Sequence, residues 1–190
     1  MNAKTPSRKT GLRQKAQLMS ASEIERTLVR LAYEIVEKNG GVSGLGLVGI
    51  RRRGVPIAER LGKIITRIEN AAQVPVGTLD ITFYRDDLST LGPKPVVQEK
   101  EIGFEIEGKN IVLVDDVLFT GRTTRAALDA LFSHGRPQRV QLCVLIDRGH
   151  REIPVEATFV GRNVQTTDNE VIEVKLTEID EAEKVLLMEK

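Results

Sequence analysis

The sequence has 190 residues, and its 28 lysines and arginines against 27 aspartates and glutamates give a net charge of +1. A chain of this length favours a single domain with one sizeable core, and the balanced charge gives no general sign of a nucleic-acid or membrane partner. The one cysteine excludes an internal disulfide and a cysteine-based zinc site, and it fits a reducing cytoplasm. No apolar run approaches the roughly 18 residues that can span a bilayer.

Residues 1–17 are predicted to form a basic, mobile N-terminal arm, followed by a single domain over residues 18–190. The arm contains five basic residues and no acidic one, and it lacks the apolar stretch of a secretory signal. Chain termini without apolar anchors tend to fray, so a mobile terminus is favoured over a binding arm.

Apolar runs alternate with amphipathic segments, which predicts an α/β fold. Ser20 and Glu23 have the spacing of a capping box, and the helix behind them should end at Gly40. Buried strands are predicted at 45–50, 111–114 and 140–146, helices at 57–68 and 125–133, and an alternating strand at 76–84. This order indicates a mainly parallel sheet with right-handed crossovers, in which Cys143 simply packs.

Residues 85–109 show no regular pattern, and Gly92, Pro93 and Pro95 interrupt them among dense charges. Long irregular loops in compact domains tend to be lids or binding loops. This segment is therefore predicted to be a loop that serves the ligand.

Two nucleotide-binding motifs are matched only by chance. Gly44, Gly46 and Gly49 fit the dinucleotide pattern, but they fall within a predicted strand instead of between a strand and a helix. Gly103 to Lys109 resembles a P-loop, yet an apolar strand follows it where a helix should begin. Neither match supports a nucleotide site.

A different arrangement at 111–124 carries chemistry. The apolar strand delivers Asp115 and Asp116 to its carboxyl edge, where ligands of open α/β sheets bind. A turn then opens a helix, and it contains Thr120, Gly121, Arg122, Thr123 and Thr124. Hydroxyls, backbone N–H groups and the helix dipole favour a phosphate at that turn, and the adjacent carboxylates suit diol hydroxyls. A phosphoribosyl group has both features.

This segment resembles the phosphoribosyl-pyrophosphate (PRPP) motif of the type I phosphoribosyltransferases. Further blocks at 48–54, 79–88 and 146–152 resemble the pyrimidine-operon attenuation regulators of the PyrR family, which are also uracil phosphoribosyltransferases. The resemblance covers residues 18–176. It implies the type I phosphoribosyltransferase fold, with a mainly parallel central sheet flanked by helices, a small hood, and a flexible loop at about 85–109.

The same resemblance implies roles for individual residues. Asp115 and Asp116 would be catalytic, holding the ribose hydroxyls near the positive charge that develops at the anomeric carbon. Mg²⁺ would be held mainly through pyrophosphate and water, without protein metal ligands. The implied substrate-binding residues are Arg51, Arg52, Arg53 and Gly54 on a pyrophosphate loop that is often strained or cis; Arg85 and Asp86 at the root of the flexible loop; Thr120, Gly121, Arg122, Thr123 and Thr124 around the phosphate; and Asp147 and Arg148 beside the base. Arg52 stands where the family usually has threonine.

The implied partners are PRPP, uracil, UMP or UTP, and the leader mRNA of a pyrimidine operon, bound by a homodimer or higher oligomer in the cytoplasm, without a membrane. The implied RNA-binding residues are Arg30, His150, Arg151 and Arg162, with His150 on the RNA side or structural. Threonine, histidine and arginine are common in the family where this chain has Val29, Tyr33 and Glu156. Two alternatives remain open: a transferase for uracil or another base without RNA binding, and a purine or orotate transferase.

Overall fold

The computed structural model describes residues 11–70, 73–84 and 102–190 of the chain. In chain order, the elements are β1 (Arg13–Ser20), α1 (Ala21–Asn39), β2 (Leu45–Ile50), α2 (Gly54–Glu69), β3 (Val76–Leu79), β4 (Asn110–Leu118), α3 (Arg122–Phe132), β5 (Arg139–Asp147), β6 (Phe159–Asn163), β7 (Glu170–Lys175), α4 (Thr177–Asp180) and β8 (Lys184–Glu189). No helix in these ranges is both long enough and apolar enough to cross a membrane.

A five-stranded parallel sheet in the order β3-β2-β4-β5-β6 forms the centre of the fold, as predicted. Its middle strands are buried on both faces, which explains their nearly continuous apolar sequence. Val112 and Val114 of β4 pack with α1 and α2 on one face. Ile111 and Leu113 pack with α3 on the other face.

Helix α1 begins as its sequence predicts. The carboxylate of Glu23 accepts hydrogen bonds from the backbone N–H and the hydroxyl of Ser20, both at 2.8 Å. At the other end, Gly40 adopts a left-handed conformation with φ 66°, which closes the helix without steric cost.

A second, antiparallel sheet in the order β1-β8-β7 forms the hood. The prediction of a mobile arm over residues 1–17 is wrong for its last five residues, because β1 begins at Arg13 and pairs with β8. Arg13 lies 2.9 Å from Glu189, and Lys15 lies 2.5 Å from Glu170, so hood carboxylates neutralise both cations. Residues 1–10 lie outside the described ranges.

Several predicted boundaries were wrong near the carboxyl edge of the sheet. The strand predicted at 76–84 ends at Leu79, because the Asp80 carboxylate accepts the backbone N–H and hydroxyl of Thr82 and turns the chain. The strand predicted at 111–114 continues to Leu118, because β5 pairs with β4 that far, and the helix predicted at 125–133 already begins at Arg122.

The predicted loop at 85–109 is only partly described. Residues 85–101, including Arg85 and Asp86, lie outside the described ranges. From residue 102 onward the chain is packed, since Ile102 and Ile106 are both buried in the core. The prediction of an extended flexible loop is therefore wrong for residues 102–109.

Candidate active site

Asp115 and Asp116 lie in the last part of β4, at the edge where the parallel strands end. Asp115 is 8% exposed, and its Oδ1 accepts the backbone N–H of Asp116 at 2.9 Å. Asp116 is less buried, and its Oδ1 accepts the backbone N–H of Val117 at 2.9 Å. Burial, followed by the neighbouring charge of Asp116, raises the pKa of Asp115 well above its ordinary value. A cation or a hydroxyl donor beside such a carboxyl group would stabilise its charged form.

Replacing Asp115 with asparagine should stabilise the fold at neutral pH. The raised pKa means that the folded state holds a proton more tightly than the unfolded state does. The wild-type protein therefore loses stability as pH rises from the ordinary carboxyl pKa of about 4 towards the raised value, and Asp115→Asn avoids that loss. We expect its melting temperature at pH 7 to exceed that of wild type by about 3 °C, with the difference shrinking towards pH 4. A lower melting temperature at pH 7 would contradict this reading.

The turn between β4 and α3 forms a cradle for a phosphate group. Gly121 caps α3 with φ 91°, a conformation that favours glycine, and it has no side chain with which to cap the helix. The Thr120 hydroxyl accepts the backbone N–H of Arg122 in a long hydrogen bond of 3.4 Å. The backbone N–H groups of that turn therefore face the ligand side with the positive end of the helix dipole. The carbonyl of Thr120 accepts the N–H groups of Glu152 and Ile153 at 2.9 and 3.0 Å, which fixes the turn.

Around this cradle, the predicted phosphate residues differ in exposure. Thr124 is buried at 3%, whereas Thr123 is half-buried and Arg122 is exposed. The Arg122 guanidinium donates to Glu152 at 2.7 Å. The phosphate contacts that the structure favours are thus backbone groups and threonine hydroxyls, with Arg122 at the rim.

The turn between β2 and α2 brings the arginine cluster to the same edge of the sheet. A Cβ atom on Gly54 would lie 2.2 Å from the carbonyl oxygen of Val114, so only glycine allows α2 to start this close to β4. The Arg51–Arg52 peptide is cis. Arg51 and Arg52 are exposed, whereas Arg53 is part-buried.

Arg53 already has a partner in the hood. Its guanidinium donates to both carboxylate oxygens of Asp180, at 2.7 and 3.1 Å. The hydrogen bond to Asp180 raises the pKa of Arg53, and the nearby charge of Asp116 contributes in the same direction. Asp180 is a residue of this site that sequence reasoning missed, since it is 127 residues away from Arg53.

The side chain of Arg148, predicted to lie beside the base, is held by contacts within the protein. It is 6% exposed, and it donates to the Thr166 hydroxyl at 3.0 Å and to the Glu170 carbonyl at 2.7 Å. Its Cζ lies 4.1 Å from the centre of the Phe119 ring, in a cation–π contact. Burial lowers the pKa of Arg148. Its guanidinium therefore supports Phe119, and its contact with the base stays a prediction.

Phe119 is a second residue that the sequence analysis missed. It is 40% exposed although it is large and apolar, and it lies between the carboxylates and Thr120. The His150 ring contacts it edge-on, with ring centroids 5.9 Å apart. The sequence did contain a signal for Phe119, because it is an aromatic residue in a turn that is otherwise polar.

Asp147 organises the loop after β5. Its carboxylate accepts the N–H of Gly149 at 3.0 Å and the guanidinium of Arg151 at 2.5 Å. Arg151 also donates to the carbonyls of Phe119 and Val155, at 2.9 and 3.0 Å. Asp147 thus fixes the conformation of this loop, and through Arg151 it connects the loop to the backbone of Phe119.

The four predicted RNA-binding residues lie near β6 and the adjoining loop, and each has an intramolecular contact. Arg30 donates to the carbonyls of Val160 and Gly161, at 3.2 and 2.6 Å. Arg162 donates to the Leu18 carbonyl, and the His150 ring lies 2.6 Å from the Thr166 carbonyl. Arg30 and Arg162 remain exposed, as do Val29, Tyr33 and Glu156.

The donor set at this edge fits a magnesium ion that is held mainly by its ligand. Asp115 and Asp116 offer hard carboxylate oxygens, which Mg²⁺ prefers. Across the described residues, no group of three or more histidine, cysteine, aspartate or glutamate side chains could form a protein cage for a metal. Substrate oxygens and water would supply the ligands of the ion, with the charge of the two carboxylates nearby.

Paired carboxylates, a glycine-capped helix N-terminus and an arginine turn meet at one edge of a parallel sheet, and together they indicate a phosphoribosyltransferase. In agreement, residues 15–179 match the family described as Phosphoribosyl transferase domain. The chain belongs to this family and, within it, to the bifunctional PyrR proteins. It is 57% identical over 179 residues to Bifunctional protein PyrR of Thermus aquaticus, covering 94% of this chain and 98% of the relative. The protein of the same name from Pelotomaculum thermopropionicum is 56% identical over 177 residues, covering 93% and 97%.

Solved structures support the fold. A hypoxanthine phosphoribosyltransferase variant of Trypanosoma cruzi in a ternary substrates complex superposes with a TM-score of 0.72 at 19% identity, covering 92% of this chain and 95% of that chain. A hypoxanthine-guanine phosphoribosyltransferase of Bacillus anthracis gives a TM-score of 0.68 at 20% identity, covering 95% and 100%. At these identities the likeness concerns the fold alone.

Proposed function

We propose that the protein transfers the phosphoribosyl group of PRPP to uracil, forming UMP and pyrophosphate, and that it also regulates transcription by binding leader mRNA of a pyrimidine operon when UMP or UTP is bound. The observation that carries the first activity is that Asp115 and Asp116 lie beside the glycine-capped α3 N-terminus at one sheet edge. Family membership supports both activities.

In this mechanism, each part of the edge has a separate task. The α3 backbone N–H groups and threonine hydroxyls bind the 5′-phosphate, and the two carboxylates hold the ribose hydroxyls. The same negative charges stabilise the positive anomeric carbon as the bond to pyrophosphate breaks and the base attacks. The turn that contains Arg51 and Arg53 receives the pyrophosphate, because guanidinium groups pair well with phosphate oxygens. Bound Mg²⁺ would supply charge neutralisation of pyrophosphate.

A turnover assay tests the enzymatic proposal. Purified protein with PRPP and Mg²⁺ should form UMP from uracil, and competing hypoxanthine, guanine or orotate should be used far more slowly. If one of these bases is converted faster than uracil, that base is the substrate and uracil is not. No turnover with any base would exclude the enzymatic part of the proposal and leave a nucleotide-sensing regulator.

Exposed basic groups beside β6 support the RNA activity. Arg30 and Arg162 are exposed, and guanidinium groups of this kind contact phosphates and single-stranded loops. The register pairs Arg162 with Ile146, just before the loop that contains His150 and Arg151. The predicted RNA residues therefore fall on the β5–β6 side of the sheet.

Filter binding with a pyrimidine-operon leader hairpin tests the RNA activity. UMP should increase the affinity, and Arg162→Ala should weaken binding and reduce the slope of log K against log salt by about 1. Arg125→Ala is the matched control, because Arg125 is an exposed arginine on α3, at the opposite face. Equal affinity for the hairpin and for scrambled RNA would contradict the proposal.

The same proposal describes a cytoplasmic homodimer or higher oligomer. Cys143 is buried in β5, and burial raises the pKa of its thiol to about 12, so this thiol is poorly reactive. Sedimentation of the purified protein would measure the oligomeric state.

A further inference from the structure

The short helix α4 of the hood contacts the turn where pyrophosphate should bind. The Asp180 carboxylate is fixed by its own helix, since Oδ2 accepts the backbone N–H of Leu176 at 3.1 Å. The same carboxylate then receives Nε and Nη2 of Arg53 in a two-point contact, at 3.1 and 2.7 Å. The side chains of Arg53 and Asp180 are only 28% and 18% exposed, so solvent screens this pair less than it screens a surface ion pair.

The other side of the turn contacts the catalytic strand. Gly54 follows Arg53 directly, and a Cβ atom on Gly54 would lie 2.2 Å from the Val114 carbonyl and 3.3 Å from Cα of Asp115. The backbone that follows Arg53 is thus confined by β4, whereas its guanidinium is held by α4.

One edge of the Arg53 guanidinium remains available. Nε and Nη2 are used by Asp180, while Nη1 makes no hydrogen bond to any residue in the described ranges. A planar guanidinium that is held along one edge presents its remaining N–H groups in a fixed direction. Because Gly54 lies against Val114 and Asp115, Arg53 is also close to the predicted catalytic carboxylates.

We propose that Asp180 is a positioning residue for the phosphoribosyl transfer: by holding one edge of Arg53, it aims the free edge at the pyrophosphate of PRPP. This inference rests on the proposed function. It assigns to the hood a contribution to substrate binding that does not require any hood side chain to touch the substrate.

Asp180→Asn tests the proposal, because it keeps the size of the side chain and removes the charge that holds Arg53. We expect the KM for PRPP to rise about tenfold, equivalent to roughly 1.4 kcal/mol, and the dissociation constant of magnesium pyrophosphate to rise in parallel. The KM for uracil and the affinity for UMP should stay within about twofold of wild type, since neither ligand carries pyrophosphate. Arg53→Lys should reproduce the defect, because lysine keeps the charge and loses the two-point contact.

Glu178→Gln is the matched control on the same helix. Glu178 pairs with Arg60 of α2 at 2.6 Å, so the variant removes a hood ion pair and leaves Arg53 and Asp180 intact. Its KM for PRPP should remain near that of wild type. The positioning role of Asp180 is contradicted if Asp180→Asn has the same KM for PRPP as Glu178→Gln. It is also contradicted if the affinity for UMP falls together with the affinity for pyrophosphate.

Calorimetric titration with magnesium pyrophosphate separates this inference from the proposed function. A wild-type protein without turnover would contradict the proposed function, but tight pyrophosphate binding that Asp180→Asn weakens would still support the role of Asp180. In the background of Arg53→Gln, Asp180→Asn should add no further loss of pyrophosphate affinity. An additive loss would show that Asp180 acts by another route.

Discussion

Replacing both Asp115 and Asp116 by asparagine is expected to lower the rate of UMP formation at least about a thousandfold. Both carboxylates lie at the end of β4, and amide groups of the same size can still accept the backbone N–H groups that the carboxylates accept now. The fold should therefore persist, while the negative charge that holds the diol and stabilises the anomeric carbon is removed. Initial rates at saturating PRPP and uracil measure the effect.

Asp129→Asn provides the control for this prediction. Asp129 is an exposed residue of α3 that pairs with Arg125, so its replacement removes a carboxylate outside the site. Its turnover should remain within about twofold of wild type, as is usual for an exposed ion pair. If the doubly substituted protein keeps more than a tenth of the wild-type rate, these carboxylates are not the catalytic groups.

Local sequence rules predicted the elements that local interactions define. The capping residues Ser20 and Glu23 and the left-handed Gly40 marked α1 correctly, because a helix end depends on a few neighbouring residues. The apolar strands of the central sheet were equally clear, since burial on both faces requires continuous apolar sequence. The Asp–Asp pair and the Thr–Gly turn could also be located from the sequence, because they directly follow an apolar strand.

Boundaries at the functional edge were less predictable because tertiary pairing decides them. Asp115 and Asp116 look like loop residues, yet β5 pairs with β4 beyond them and keeps them in a strand. Asp80 ended a strand whose alternation continued in the sequence, through a hydrogen bond from the Thr82 backbone. Propensity rules take account neither of pairing with a distant strand nor of the hydrogen bonds of a turn.

Side-chain partners distant in sequence were the least predictable feature. Arg53 and Arg148 were both predicted to contact the substrate. A guanidinium group can pair with any carboxylate or phosphate within reach, so the sequence did not specify its partner. The structure pairs Arg53 with Asp180, and it places Arg148 against Phe119 and Thr166. Asp180 and Thr166 are each far along the chain from the arginine they pair with, so no local sequence pattern indicates these pairs.

Gly54→Ala should have the largest effect of any single small substitution in the site. A methyl group at this position would meet the Val114 carbonyl at 2.2 Å and the Asp115 Cα at 3.3 Å, and backbone atoms cannot rotate away as a side chain can. Helix α2 must therefore move away from β4, which disturbs the arginine turn and the catalytic strand together. We expect the free energy of unfolding to fall by about 3 kcal/mol, as in overpacked cores, and the KM for PRPP to rise more than tenfold.

Gly62→Ala is the matched control because it adds the same methyl group to the same helix. Its new Cβ would meet a side-chain atom, Cγ2 of Val76, at 2.7 Å. That side chain borders an open cavity of about 720 Å³, so it has room to shift, and alanine favours helix over glycine by about 1 kcal/mol. Urea unfolding and PRPP saturation curves for the two variants give the comparison. If Gly54→Ala is no less stable than Gly62→Ala and binds PRPP as tightly, then close contact between α2 and β4 is not what shapes the pyrophosphate turn.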